Sequence, residues 1–112
     1  MKIVNVISRS AITITYKKPF IDWNNTLFPN LLMHENMIGE SKTYLINELF
    51  NDAGAVIKKH YTQIFEIELE GICIDESEWP TKRTLKLFNE WFSLEVSDCV
   101  MDLSKKDIMN NE

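Results

Sequence analysis

The 112-residue chain is 45% hydrophobic and 26% charged, a balance that belongs to folded globular proteins rather than disordered ones. Its length suits one domain with one core, since a second domain would have too little surface to bury. The net charge of −5 speaks against nucleic acid, whose binders must neutralise phosphates, and suits a basic protein partner or none.

The charge is unevenly placed. Residues 1–18 carry Lys2, Arg9, Lys17 and Lys18 and no acid, whereas Glu66, Glu68, Glu70, Asp75, Glu76 and Glu78 follow one another with no base between them. No apolar run approaches the ~18 residues a bilayer span requires. The apolar N-terminus is short, is interrupted by Asn5 and lacks a small-residue cleavage site, so a cytoplasmic protein with no membrane partner is expected. Cys73 and Cys99 form no C-x-x-C pair, and in a reducing compartment two free thiols are expected.

Taken in chain order, Ile12, Ile14 and Tyr16 alternate with Thr13 and Thr15, which predicts a strand, and Val4 and Val6 continue the phase upstream. Pro19 ends that strand and suits the first turn of a helix, whose apolar face carries Phe20, Trp23 and Leu27. Pro29 breaks this helix, Leu31 and Leu32 open a weak helical turn, and Gly39 closes it. Residues 43–46 form a short apolar run that reads as a second strand.

The segment 55–74 admits two readings. Phe65, Ile67 and Leu69 alternate with glutamates as in a strand, yet Ile57, Tyr61, Ile64, Phe65, Leu69 and Ile72 share one side of a helical wheel. Only the helix accounts for residues 57–64, so a helix is predicted, and it places Glu68 within the apolar face. Pro80 breaks what precedes it, and Thr84 caps a further helix bearing Leu85, Phe88 and Trp91. Residues 93–103 read as one long strand. Leu94 and Val96 share a face that Cys99, Met101 and Leu103 do not, which points to a β-bulge or a change of buried side near Asp98.

The expected architecture is therefore α+β: a single domain over residues 1–104, with a frayed tail at 105–112. About three mostly antiparallel strands would carry three to four helices on one face.

Chemistry-bearing motifs are sparse. Gly39, Gly54 and Gly71 are too far apart to cradle a phosphate, no G-x-S-x-G elbow occurs, and His34 and His60 lack ligand partners at helical spacing. No cofactor or metal is expected. Cys73 reads as a small apolar residue rather than a nucleophile.

Glu68 is the sharpest candidate, because a carboxylate on an apolar helix face must be paired, hydrogen-bonded or protonated. One reading is a structural ion pair with Arg9 or Arg83, the two guanidiniums available. The other is a general acid or base in a cleft beside Trp79 or Trp91. Phe20, Trp23, Tyr44, Phe88, Trp91 and Phe92 read mainly as core. Trp79, beside Pro80 at a helix junction, is the aromatic expected at the surface, where Glu66, Glu70, Asp75, Glu76 and Glu78 would surround it as a docking face.

The stretch Lys17-Lys18-Pro19-Phe20-Ile21-Asp22-Trp23, followed by residues 43–46, Ile64-Phe65-Glu66, Glu68-Leu69, Glu78-Trp79-Pro80, Arg83-Thr84-Leu85 and Phe88-x-x-Trp91-Phe92, resembles a widespread family of short uncharacterised bacterial cytosolic proteins. The resemblance runs from about Arg9 to Leu103 and implies an α+β domain without an assigned activity. Members often carry a further Trp where this chain has Gly71 and Ile72.

Three functional classes follow. The first is a small acidic cytosolic interaction module, with an inhibitor or immunity-like protein for a basic target as a special case. The second is a small enzyme using Glu68 and an arginine, and the third a ligand-binding domain without chemistry. The poverty of catalytic groups favours the interaction module. Two sheet edges would remain, through which a homodimer could form.

Overall fold

The computed structural model describes residues 5–47 and 52–104. The elements run β1 (Asn5–Ile7), β2 (Ser10–Tyr16), α1 (Lys18–Leu27), a 3₁₀ turn (Glu35–Met37), β3 (Ser41–Ile46), α2 (Ala53–Ile72), a second 3₁₀ turn (Glu76–Glu78), α3 (Leu85–Trp91), β4 (Phe92–Ser97) and β5 (Val100–Asp102). The class is α+β, as the pattern of elements implied. Among the described residues five strands stand where about three were expected, in two antiparallel sheets ordered β3-β2-β4 and β1-β5.

The period of two in β2 explains the larger sheet. Ile12, Ile14 and Tyr16 are buried on the face toward the helices, while Thr13 faces the other way and meets Thr43 across the pair at 2.9 Å between hydroxyl oxygens. Pro19 sits in the first turn of α1, where its missing N–H has no partner to lose. Gly39 adopts φ of 97°, a conformation that penalises any Cβ, and donates its N–H to the Tyr16 carbonyl at 3.0 Å, turning the chain into β3. Leu31 and Leu32 lie outside any helix and are exposed. The 3₁₀ turn forms instead at Glu35–Met37, just before this glycine.

The predicted long strand at 93–103 is two strands. β4 pairs with β2 and β5 with β1, and the register moves by one residue between the ladders: Ala11 faces Ser97, but Ile7 faces Val100. Residues 8–10 thus stand opposite 98–99. The phase switch seen near Asp98 is a bulge-like break whose extra residue lies on the partner strand. The Ser97 hydroxyl donates to the Cys99 carbonyl at 2.9 Å across the break. Beyond it Val6 and Met101 face each other, both largely exposed. Residues 1–4, which carry the Val4 phase, and the expected tail at 105–112 lie outside the described residues.

The helices cover one face of the β3-β2-β4 sheet around an aromatic core. Phe20, Phe65, Phe88 and Phe92 are fully buried, with ring centroids 5.0 Å apart for Phe20 and Phe92 and 5.3 Å for Phe65 and Phe88. Burying each such ring contributes roughly 1.5–3 kcal/mol. Asp52 caps α2 by accepting from the Gly54 N–H at 2.9 Å, and Thr84 caps α3 by accepting from the Leu87 N–H at 3.1 Å. The helix reading of 55–74 is correct. Ile64, Phe65 and Leu69 are buried, and Glu68 is buried among them.

Candidate functional site

Helical spacing forces Glu68 inward. It stands three and four residues from Phe65 and Ile64 on the stripe that α2 presses onto the sheet, and it is 2% exposed. The strands beneath supply polar groups on the same inward phase: Tyr16 follows Ile12 and Ile14 on β2, and Lys42 and Tyr44 precede Ile46 on β3. Glu68 Oε1 accepts from the Tyr16 hydroxyl at 3.1 Å and from Lys42 Nζ at 3.2 Å. Oε2 accepts from the Tyr44 hydroxyl. The Lys42 side chain is half-exposed, so its ammonium joins the buried carboxylate to solvent.

Each donor holds its proton more tightly than usual. Burial, then the hydrogen bond to Glu68 and that carboxylate's charge, push the Tyr44 phenol well above its ordinary value. Burial, then the Glu68 charge, raise Tyr16. For Lys42 burial acts downward, but its interactions with Tyr16 and Glu68 outweigh it and the net direction is up. The cluster is a carboxylate saturated by protein donors, tying α2 to β2 and β3.

The partner expected for Glu68 was Arg9 or Arg83; the cation bonded to it is Lys42. Arg83 is committed elsewhere, since its guanidinium lies 5.5 Å from the Trp79 ring centroid and donates to the Pro80 carbonyl at 2.9 Å. Arg9 sits at the break between β1 and β2, away from the helix-facing phase that Tyr16 and Lys42 occupy. The tyrosines were missed too. Tyr16 carries a visible signal, a polar-tipped residue on the inward phase of β2, whereas β3 is too short for Tyr44 to stand out in the same way.

Trp79 is the second correction. It is 7% exposed rather than on the surface, because its Nε1 donates to the Cys73 carbonyl at 2.7 Å and Arg83 covers its ring. Trp23 of α1 donates to the Glu78 carbonyl at 3.2 Å. The Trp79 bond closes the acidic segment 73–80 on itself, while the buried Trp79 ring and the Trp23 bond hold it to the body near Glu78. Within it Asp75 Oδ1 accepts from the Ser77 N–H at 3.0 Å and the Ser77 hydroxyl at 2.7 Å, which holds the Asp75 carboxyl below its usual range. Glu70, Asp75, Glu76 and Glu78 are exposed, and Glu66 is half-buried.

With Trp79 withdrawn, the outward apolar groups here are isoleucines. Ile74, just past the end of α2, is 86% exposed, and Ile67 is 46% exposed. Ile67, Glu70 and Gly71 line an open depression on the solvent side of α2. Sequence reasoning missed both isoleucines. Ile67 was visible as an apolar residue standing off the wheel's apolar stripe.

Among the described residues no group of His, Cys, Asp and Glu is placed to hold a metal ion, and no helix is long and apolar enough to cross a membrane. Cys73 and Cys99 are free thiols, half-buried and exposed respectively. Comparison with protein-family models, curated proteins and solved structures finds no match.

Proposed function

We propose that the chain is a small acidic interaction module of the cytosol, recognising a basic protein through the end of α2 and the acidic segment after it. One observation carries this reading: Ile74 is 86% exposed on a segment that Trp23, Trp79 and Arg83 hold in place. An exposed isoleucine loses hydrophobic stabilisation, and a rigid mount spares a partner the entropy of ordering it. The surrounding Glu70, Asp75, Glu76 and Glu78 supply charge that a basic surface would match.

The catalytic reading of Glu68 has less support. Both of its oxygens are engaged by the protein's own donors, and the depression at Ile67, Glu70 and Gly71 opens on the solvent side of the same helix. The test is gentle affinity capture from the cells that make the protein, followed by native mass spectrometry. Wild type should retain a stoichiometric basic polypeptide that Ile74→Asp loses. Retention of the same polypeptide by Ile74→Asp would overturn the reading.

A further inference from the structure

We propose that the solvent side of α2 around Gly71 receives an amphipathic α-helix from a basic protein partner; this deepens the interaction reading above and rests on it. Gly71 is the starting point. It stands in the last turn of α2, one residue before the helix ends, where glycine still forgoes the helix propensity of alanine.

No reason for the glycine is found among the described residues. Among the described residues Gly39 is the glycine with positive φ, so Gly71 answers no left-handed turn. It does not end the helix, since α2 continues to Ile72 and the capping residue is Cys73, whose N–H bonds the Leu69 carbonyl at 2.8 Å. A Cβ placed on Gly71 would meet nothing within 4 Å, so no internal neighbour requires the missing side chain.

What glycine leaves is a notch on an exposed helix surface. Ile67 lies one turn before it and is half-exposed, and Glu70 borders the same depression. A ridge of side chains from a second helix fits such a groove, and a missing side chain lets two helix axes approach closely. An added strand would need an open sheet edge, which a helix does not offer.

Charge selects the occupant. Glu66 and Glu70 lie along one side of Ile67 on the helix, Asp75, Glu76 and Glu78 follow, and no base occurs between Glu66 and Glu78. The fitting helix carries a narrow stripe of small apolar residues flanked by Lys or Arg.

The probe is a synthetic helical peptide of about five turns with an Ala/Leu stripe flanked by lysines. One twin replaces each lysine by glutamate, and a second keeps the lysines but breaks the stripe with serines. Amide shifts of the isotope-labelled protein are followed on titration. The lysine peptide should move Ile67, Glu70, Gly71 and Ile74 in a saturable way, and both twins should bind at least tenfold more weakly. Gly71→Leu, which fills the notch, should weaken the lysine peptide at least tenfold with no loss of thermal midpoint.

Shifts centred elsewhere, equal binding by the stripe-broken twin, or unchanged affinity in Gly71→Leu would each overturn the helix proposal. Failure of the peptide while Ile74→Asp still strips a captured polypeptide would sink the helix and leave the interaction reading standing. Retention of that polypeptide by Ile74→Asp would remove both.

Discussion

The two sides of α2 place carboxylates and apolar groups in opposite circumstances. Inward, Glu68 is a buried charge with three donors, each supplied by this chain. Outward, Ile74 is almost wholly in water and Ile67 about half so, near the exposed Glu70. A buried polar group with all its partners at home ties elements together, and its removal is felt in stability. An exposed apolar group on a rigid mount adds nothing to folding, so its removal should be felt only by a partner. On the proposed reading, the inward face serves architecture and the outward face recognition.

Glu68→Ala should break the inward side most severely. It leaves two phenols without their acceptor while water can solvate the half-exposed Lys42 ammonium, and urea unfolding should show a loss of about 2–4 kcal/mol. A loss below about 1 kcal/mol would mean that the cluster holds nothing together. Tyr44→Phe removes one donor from the carboxylate and should cost about 1.5–3 kcal/mol in the same measurement.

Alkaline pH sharpens this side further. Tyr16, Tyr44 and Lys42 all keep their protons more tightly folded than unfolded. Their stabilisation is therefore complete below about pH 10 and is lost as pH rises beyond it, when the unfolded chain ionises first. For Tyr44 the slope approaches about 1.4 kcal/mol per pH unit. Stability of Tyr44→Phe should fall less steeply than wild type between about pH 10 and 12, by the contribution of one proton. Parallel curves for the two proteins would show that Tyr44 is not held as described.

On the outward side the expected stability effects are small. Gly71→Ala gains helix propensity without meeting a neighbour, so it should raise stability by about 0.5–1 kcal/mol. Ile74→Asp should leave the unfolding free energy within about 0.5 kcal/mol of wild type, since the side chain packs on little. A large loss there would make Ile74 structural and erase the contrast between the two sides.

Much of this fold was legible because its periodicities are long. The stripe Ile64-Phe65-Leu69 outlasted the strand-like alternation at 65–70, and it carried the burial of Glu68 with it. The switch of face between Val96 and Met101 showed that the last strand could not lie flat, though not that it divides between two sheets. Contacts that cross the sequence were hidden. Lys42 and Tyr44 lie 26 and 24 residues from Glu68, on a strand too short for its inward phase to stand out. Trp79 beside Pro80 suggested a surface junction, but an indole that finds a carbonyl and a guanidinium can be buried in a loop. Once Trp79 and Arg83 are engaged with each other, the surface passes to Ile74 and the buried carboxylate to Lys42.

The most direct test of this division of labour is one paired measurement on wild type and Ile74→Asp: urea unfolding together with native mass spectrometry of the captured complex. Matching unfolding midpoints are expected, with a stoichiometric basic polypeptide present on wild type and absent from the variant. An equally stable variant that still holds the polypeptide would contradict that division.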